Sequence, residues 1–128
     1  GSFTREEGIG LSNRNPASLT RRHLQRALLH RPLYQAVAEL APPAGRPLAR
    51  QALALHLREI DLLRQAAPGP VERAGGPEAF PDPALLVAEL AELADQAVSE
   101  YQLDAGEGRE NLASLAEVAA EKARVLRA

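Results

Sequence analysis

Apolar residues recur every three to four positions in four separate runs of this chain, and proline- or glycine-bearing stretches divide the runs. That period puts the apolar residues of each run on one face of an α-helix. The spacing predicts a first helix from about Pro16 to Ala41, with Leu29, Leu33, Val37 and Leu40 on its apolar face. Asn15 stands as its N-cap and Pro16 at the tolerated first position. Pro32 falls inside this run. It offers no backbone donor and its ring crowds the carbonyl of Leu28, so the helix is expected to kink or break there.

A second helix is expected from Pro47 to about Ala67, with Ala49, Leu53, Leu57, Ile60 and Leu63 as its stripe. The segment PGPVERAGGPEAFPDP, residues 68–83, holds five prolines and three glycines and reads as a long loop, with Phe80 placed to cover the bundle end. Asp82-Pro83 then caps and opens a third helix carrying Leu86, Leu90, Leu93, Ala97 and Tyr101. DAGEGRE, residues 104–110, ends it. A fourth helix follows with Leu112, Leu115, Ala119, Ala123 and Leu126 on one face. Short links join the first helix to the second and the third to the fourth, which makes each pair antiparallel. The expected fold is an all-α, up-down-up-down four-helix bundle over residues 16–128. Residues 1–15 are read apart from it, GSFT as a cloning scar and the remainder as a flexible segment.

Composition agrees with close-packed helices. Of 128 residues only two Tyr and two Phe are aromatic, so Leu, Ala and Val must build the core. No cysteine is present, which excludes disulfides, thiolate metal sites and a cysteine nucleophile. No apolar run approaches the roughly 18 residues of a spanning helix, so the chain is expected to be soluble or peripheral to a membrane. The net charge of −2 conceals an asymmetry. Residues 1–64 hold ten Arg against five acids, a balance of +5, and residues 65–128 hold four Arg and one Lys against twelve acids, a balance of −7. Either the two halves attract each other inside the bundle, or they present surfaces of opposite sign.

Candidate chemistry is sparse. His23 and His30 lie seven residues apart on one helical face, and His56-Leu-Arg-Glu59 is the nearest approach to a bundle metal motif, in reversed order and present once. No metal site and no cofactor are expected. Arg50-QALAL-His56 fits the loose spacing of some helical ribonucleases but lacks their polar surroundings. No nucleophile elbow is legible, and the glycines of Gly106 and Gly108 follow a helix rather than a strand, so no enzyme is expected. Nine arginines between Arg14 and Arg64 could follow a phosphate backbone, yet the domain is acidic overall, without an aromatic stacking platform or a helix-turn-helix, so nucleic acid is not the expected partner.

In an up-down-up-down bundle the first and third loops emerge at one end. That end would show Arg46, Leu48 and Arg50 from LAPPAGRPLAR, with Arg109 across from them; the other end would gather Arg21, Arg22, Arg64, Arg73, Arg124 and Arg127. A compact four-helix bundle with GRPLAR in its first loop resembles the four-helix-bundle membrane-localisation domains of bacterial toxins and the N-terminal lipid-raft-targeting domains of type III secretion effectors. The resemblance spans residues 16 to 127 in architecture and rests on GRPLAR at residue level. It implies a non-catalytic module of a larger virulence protein, binding anionic phosphoinositide-type lipid at the inner face of a host plasma membrane. Arg46, Leu48, Arg50 and Arg109 would carry that binding. The alternative is a protein-interaction or dimerisation bundle that uses the basic first hairpin.

Overall fold

The computed structural model describes residues 16–67, 69, 82–105 and 110–128. Four helices account for almost all of them: α1 Pro16–Leu40, α2 Arg46–Ala66, α3 Pro83–Asp104 and α4 Glu110–Arg127. The all-α four-helix bundle is as expected. α1 continues through Pro32 as one helix and is not divided there. Asp82 caps α3, its carboxylate accepting from the Ala84 amide at 2.8 Å. Asp82→Ala should therefore cost about 1 kcal/mol in a urea titration.

The directions of the helices differ from expectation. α1 packs on α2 and on α3, and α4 packs on α2 and on α3. His23, early in α1, meets Asp104 at the end of α3, and Arg127 at the end of α4 meets Asp95 on α3. Lys122 of α4 reaches His56 of α2. Every neighbouring pair is thus antiparallel, and the order is up-down-down-up rather than up-down-up-down. α2 ends and α3 begins at opposite ends of the bundle. Fifteen residue steps separate Ala67 from Asp82, enough to reach roughly 50 Å when extended, against a rise of about 30 Å for a helix of this length. The proline-rich link is long enough to cross, which is why its length alone did not reveal the direction.

Two apolar clusters fill the interior. One, at the end where α1 joins α2, gathers Tyr34, Val37, Ala49, Leu86, Leu90 and Leu126. The other, toward the opposite end, gathers Leu24, Ile60, Leu63, Tyr101, Leu112 and Leu115. The expected stripes of α3 and α4 are buried except Leu93, which is partly so. On α1 and α2 the faces are rotated. Leu40 and Leu57 stand 53% and 42% exposed, whereas Leu24, Tyr34, Ala52, His56 and Glu59 are buried. Among the described residues no helix is long and apolar enough to cross a membrane.

Candidate functional site

The end at which α1 passes into α2 has a distinct composition. Ala41 to Gly45 form the connection, closed by the Gly45 amide donating to the Pro42 carbonyl at 2.9 Å. Arg46 opens α2 and donates to the Ala41 carbonyl at 3.2 Å, satisfying a group left open by the end of α1. Because α2 begins at Arg46, RPLAR is helical rather than a loop, and Gly45 precedes it as the N-cap. Arg50 lies one turn beyond Arg46 on the same flank, and both border a crevice against Gln35 and Glu39 of α1. Leu48 is about 200° around the helix from Arg46, on the other flank. There it joins Val37, Leu40, Val87, Val125 and Leu126 around an apolar groove of about 400 Å³.

The helix directions redistribute the expected tip. Arg46, Leu48 and Arg50 share one end, as expected. Arg109 lies outside the described residues, but Asp104 and Glu110, which bracket it, belong to the opposite end, where α3 stops and α4 starts. Because the helix directions differ from expectation, Arg124 and Arg127 lie at the end of Arg46, not with Arg21, Arg22 and Arg64; Arg73 and Phe80 fall outside the described residues. In place of Arg109 the fold brings Leu85, 66% exposed in the first turns of α3, beside the groove. Five large apolar side chains are exposed among the described residues, and three of them, Leu40, Leu48 and Leu85, ring this end.

Between the two apolar clusters lies a layer of charge that sequence reasoning missed. Glu59 of α2 and Lys122 of α4 are 1% and 2% exposed, with Lys122 Nζ 2.5 Å from Glu59 Oε1. The Tyr101 hydroxyl donates to Glu59 Oε2. The Lys122 ammonium also donates to His56 Nδ1 at 2.8 Å and sits 5.0 Å from the centre of the Tyr34 ring. An ammonium has only donors, so His56 Nδ1 is an acceptor. The proton is therefore on Nε2, which donates to the Ala27 carbonyl at 2.7 Å. Tyr34 stacks on the His56 ring with centroids 4.2 Å apart.

The electrostatics follow from this enclosure. Burial first, then the Lys122 charge, push His56 down to about 3. Burial and the cations Arg26 and Lys122 push His30 down to about 4. His23 is lowered by burial and Arg26, against its 2.8 Å bond to Asp104. Burial favours the neutral acid at Glu59, but Lys122, His56 and the Tyr101 hydroxyl outweigh it and hold the carboxyl below its ordinary value. Burial also draws Lys122 down, opposed by Glu59.

The side chains of this layer are buried among the described residues. Both His56 ring nitrogens are engaged, while Arg50 points outward, so the Arg50–His56 pair does not converge on a common surface. Among the described residues no group of three or more His, Asp or Glu side chains could hold a metal ion. The Lys122 ammonium itself is the cation between Glu59 and His56. The missed signal was visible as position: His56 and Glu59 continue the 49-52-56-60-63 face of α2, and the one lysine of the chain continues the 115-119-122-126 face of α4. Comparison with protein-family models, with curated proteins and with solved structures finds no match to this chain.

Proposed function

We propose that the bundle is a non-catalytic targeting module that meets an anionic, phosphoinositide-type membrane with the end at which α1 joins α2. The observation that supports this is the gathering of Leu40, Leu48 and Leu85 at one end beside Arg46 and Arg50. Arg109 is left out of the surface. Each arginine near an anionic leaflet contributes about 1 kcal/mol. A leucine fully buried from water contributes roughly 1.5–3 kcal/mol, and these three, already partly covered, contribute less. The sum gives weak, reversible attachment that depends on anionic lipid. The resemblance to toxin and type III effector domains extends the proposal to the inner face of a host plasma membrane and to a larger virulence protein.

Co-sedimentation with phosphoinositide-containing vesicles at low salt tests the reading. Wild type should pellet with these vesicles and not with neutral ones. Leu85→Asp changes a solvent-exposed position and should reduce binding at least tenfold, and Leu48→Asp should do the same. Leu103→Asp alters the most exposed leucine among the described residues, at the opposite end, and should bind like wild type. Absence of wild-type binding, or loss through Leu103→Asp alone, would overturn the reading.

A further inference from the structure

The charge asymmetry of the chain is only partly neutralised inside the fold. Arg26 pairs with Glu100, Lys122 with Glu59, and His23 with Asp104 across the two hairpins. On the other hairpin Arg124 and Arg127 pair with Glu121 and Asp95. Arg21, Arg31, Arg50 and Arg64 make no ion pair among the described residues, although Arg21, Arg50 and Arg64 are exposed.

Helical register brings these arginines to one groove. Arg46, Arg50, Leu53, Leu57 and Arg64 follow one another along the α1-facing side of α2, at offsets of four, seven, eleven and eighteen residues from Arg46. On α1 the register of Gln35, which borders the crevice with Arg46 and Arg50, leads back through Arg31 and Leu28 to Arg21. Antiparallel packing sets Arg21 near Arg64 at one end of the groove, and Arg46 and Arg50 lie at the other. Leu57, 42% exposed, and the partly buried Leu53 and Leu28 occupy the middle. Two acids, Glu39 and Asp61, stand against these five arginines.

We propose that this α1–α2 groove docks an acidic amphipathic helix of a protein partner. The charge of the groove selects an acidic occupant. Its aliphatic centre matches the apolar stripe of a helix, whose flanking carboxylates then face the arginines at both ends. A phosphate backbone would leave the leucines without a partner, and the groove offers no aromatic ring on which a base could stack. The site is separate from the apolar groove at the end of the bundle: Arg46 and Arg50 line the α1–α2 crevice, whereas Leu48 lines the apolar groove on the other flank of α2.

The probe is a synthetic helical peptide of about five turns with leucines at i, i+3, i+4 and i+7 and glutamates flanking them, followed by fluorescence anisotropy. The intact bundle should bind it with an affinity that falls as salt rises. A control peptide of identical composition, its leucines scattered off one face, should bind at least tenfold more weakly. Arg21→Glu/Arg64→Glu should weaken the designed peptide tenfold or more while leaving vesicle binding intact, and Leu85→Asp should leave peptide binding intact. Equal binding of both peptides would reduce the groove to unspecific charge and overturn the proposal. Insensitivity to Arg21→Glu/Arg64→Glu, or binding of duplex DNA through these arginines with no binding of the peptide, would overturn it as well.

Discussion

Replacing Lys122 with methionine is expected to destabilise the bundle by about 3–5 kcal/mol. The substitution keeps the volume of the side-chain stem but removes the ammonium from between Glu59 and His56. Glu59, 1% exposed, would then hold a carboxylate with only the Tyr101 hydroxyl to stabilise it, and His56 Nδ1 would lose its donor. Domains of this size are typically stable by about 5–15 kcal/mol, so the loss is a large fraction of the whole. The deficit should shrink toward acid pH, because an unpaired buried carboxyl takes up a proton readily. Removing both charges, with Glu59→Leu/Lys122→Met, should recover most of the stability, since a well-packed apolar pair often equals a buried ion pair. Urea denaturation of wild type and the two variants at pH 7 checks this. A Lys122→Met variant within 0.5 kcal/mol of wild type would contradict the closed layer.

Acid should unfold the bundle well above the pH at which its carboxylates alone would titrate. All three histidines have folded-state values below the ordinary 6.5, His56 at about 3 and His30 at about 4. The unfolded chain therefore binds protons between these values that the folded chain refuses. Stability is fully present above pH 6.5 and is lost as the pH falls from 6.5 toward 3. A tenfold difference in proton affinity between the folded and unfolded chain is worth about 1.4 kcal/mol, so His56 alone contributes up to about 4–5 kcal/mol of this loss, with His30 and His23 acting in the same direction. Glu59, also held below its ordinary value, adds to the loss below about pH 4.5. The groups facing His56 are Lys122 and Glu59 by charge and Tyr34 by its ring; of the two charges, Lys122 opposes the protonated form more strongly than Glu59 favours it. Melting temperatures from pH 7.5 to pH 4 should fall steeply below pH 6.5. His56→Gln, less stable at pH 7, should show a flatter profile. A wild-type melting temperature unchanged between pH 7.5 and 4.5 would contradict the buried neutral imidazole.

Local signals carried well from sequence to structure. The prolines at 42, 43 and 47 and the Asp82-Pro83 pair mark helix limits because each acts on the backbone beside it. The leucine and alanine stripes of α3 and α4 were legible because no proline interrupts their period. On α1 and α2 the apolar residues exceed one face, so the period assigns Leu40 and Leu57 to the core and passes over His56 and Glu59 as polar. Their burial depends on Lys122, more than sixty residues away, which no local period reveals. The direction of α3 was the largest loss, since a long proline-rich link can either turn back or cross. That one reversal put Asp104 at the end away from Arg46, brought Arg124 and Arg127 toward it, and put Leu85 at the same end as Leu40 and Leu48. In GRPLAR, Leu48 between arginines read as a single tip, whereas the helix beginning at Arg46 sets it on the opposite flank.

The chain has no cysteine, so a single introduced thiol reports one position without ambiguity. An environment-sensitive fluorophore at Ala44→Cys, in the connection of α1 to α2, and at Leu103→Cys, at the far end, tests directly which end meets the membrane. On adding phosphoinositide-containing vesicles, the label at position 44 should shift to the blue and be quenched by lipid-borne quenchers, with the label at 103 unchanged. A response at 103, or at neither position, would contradict the account.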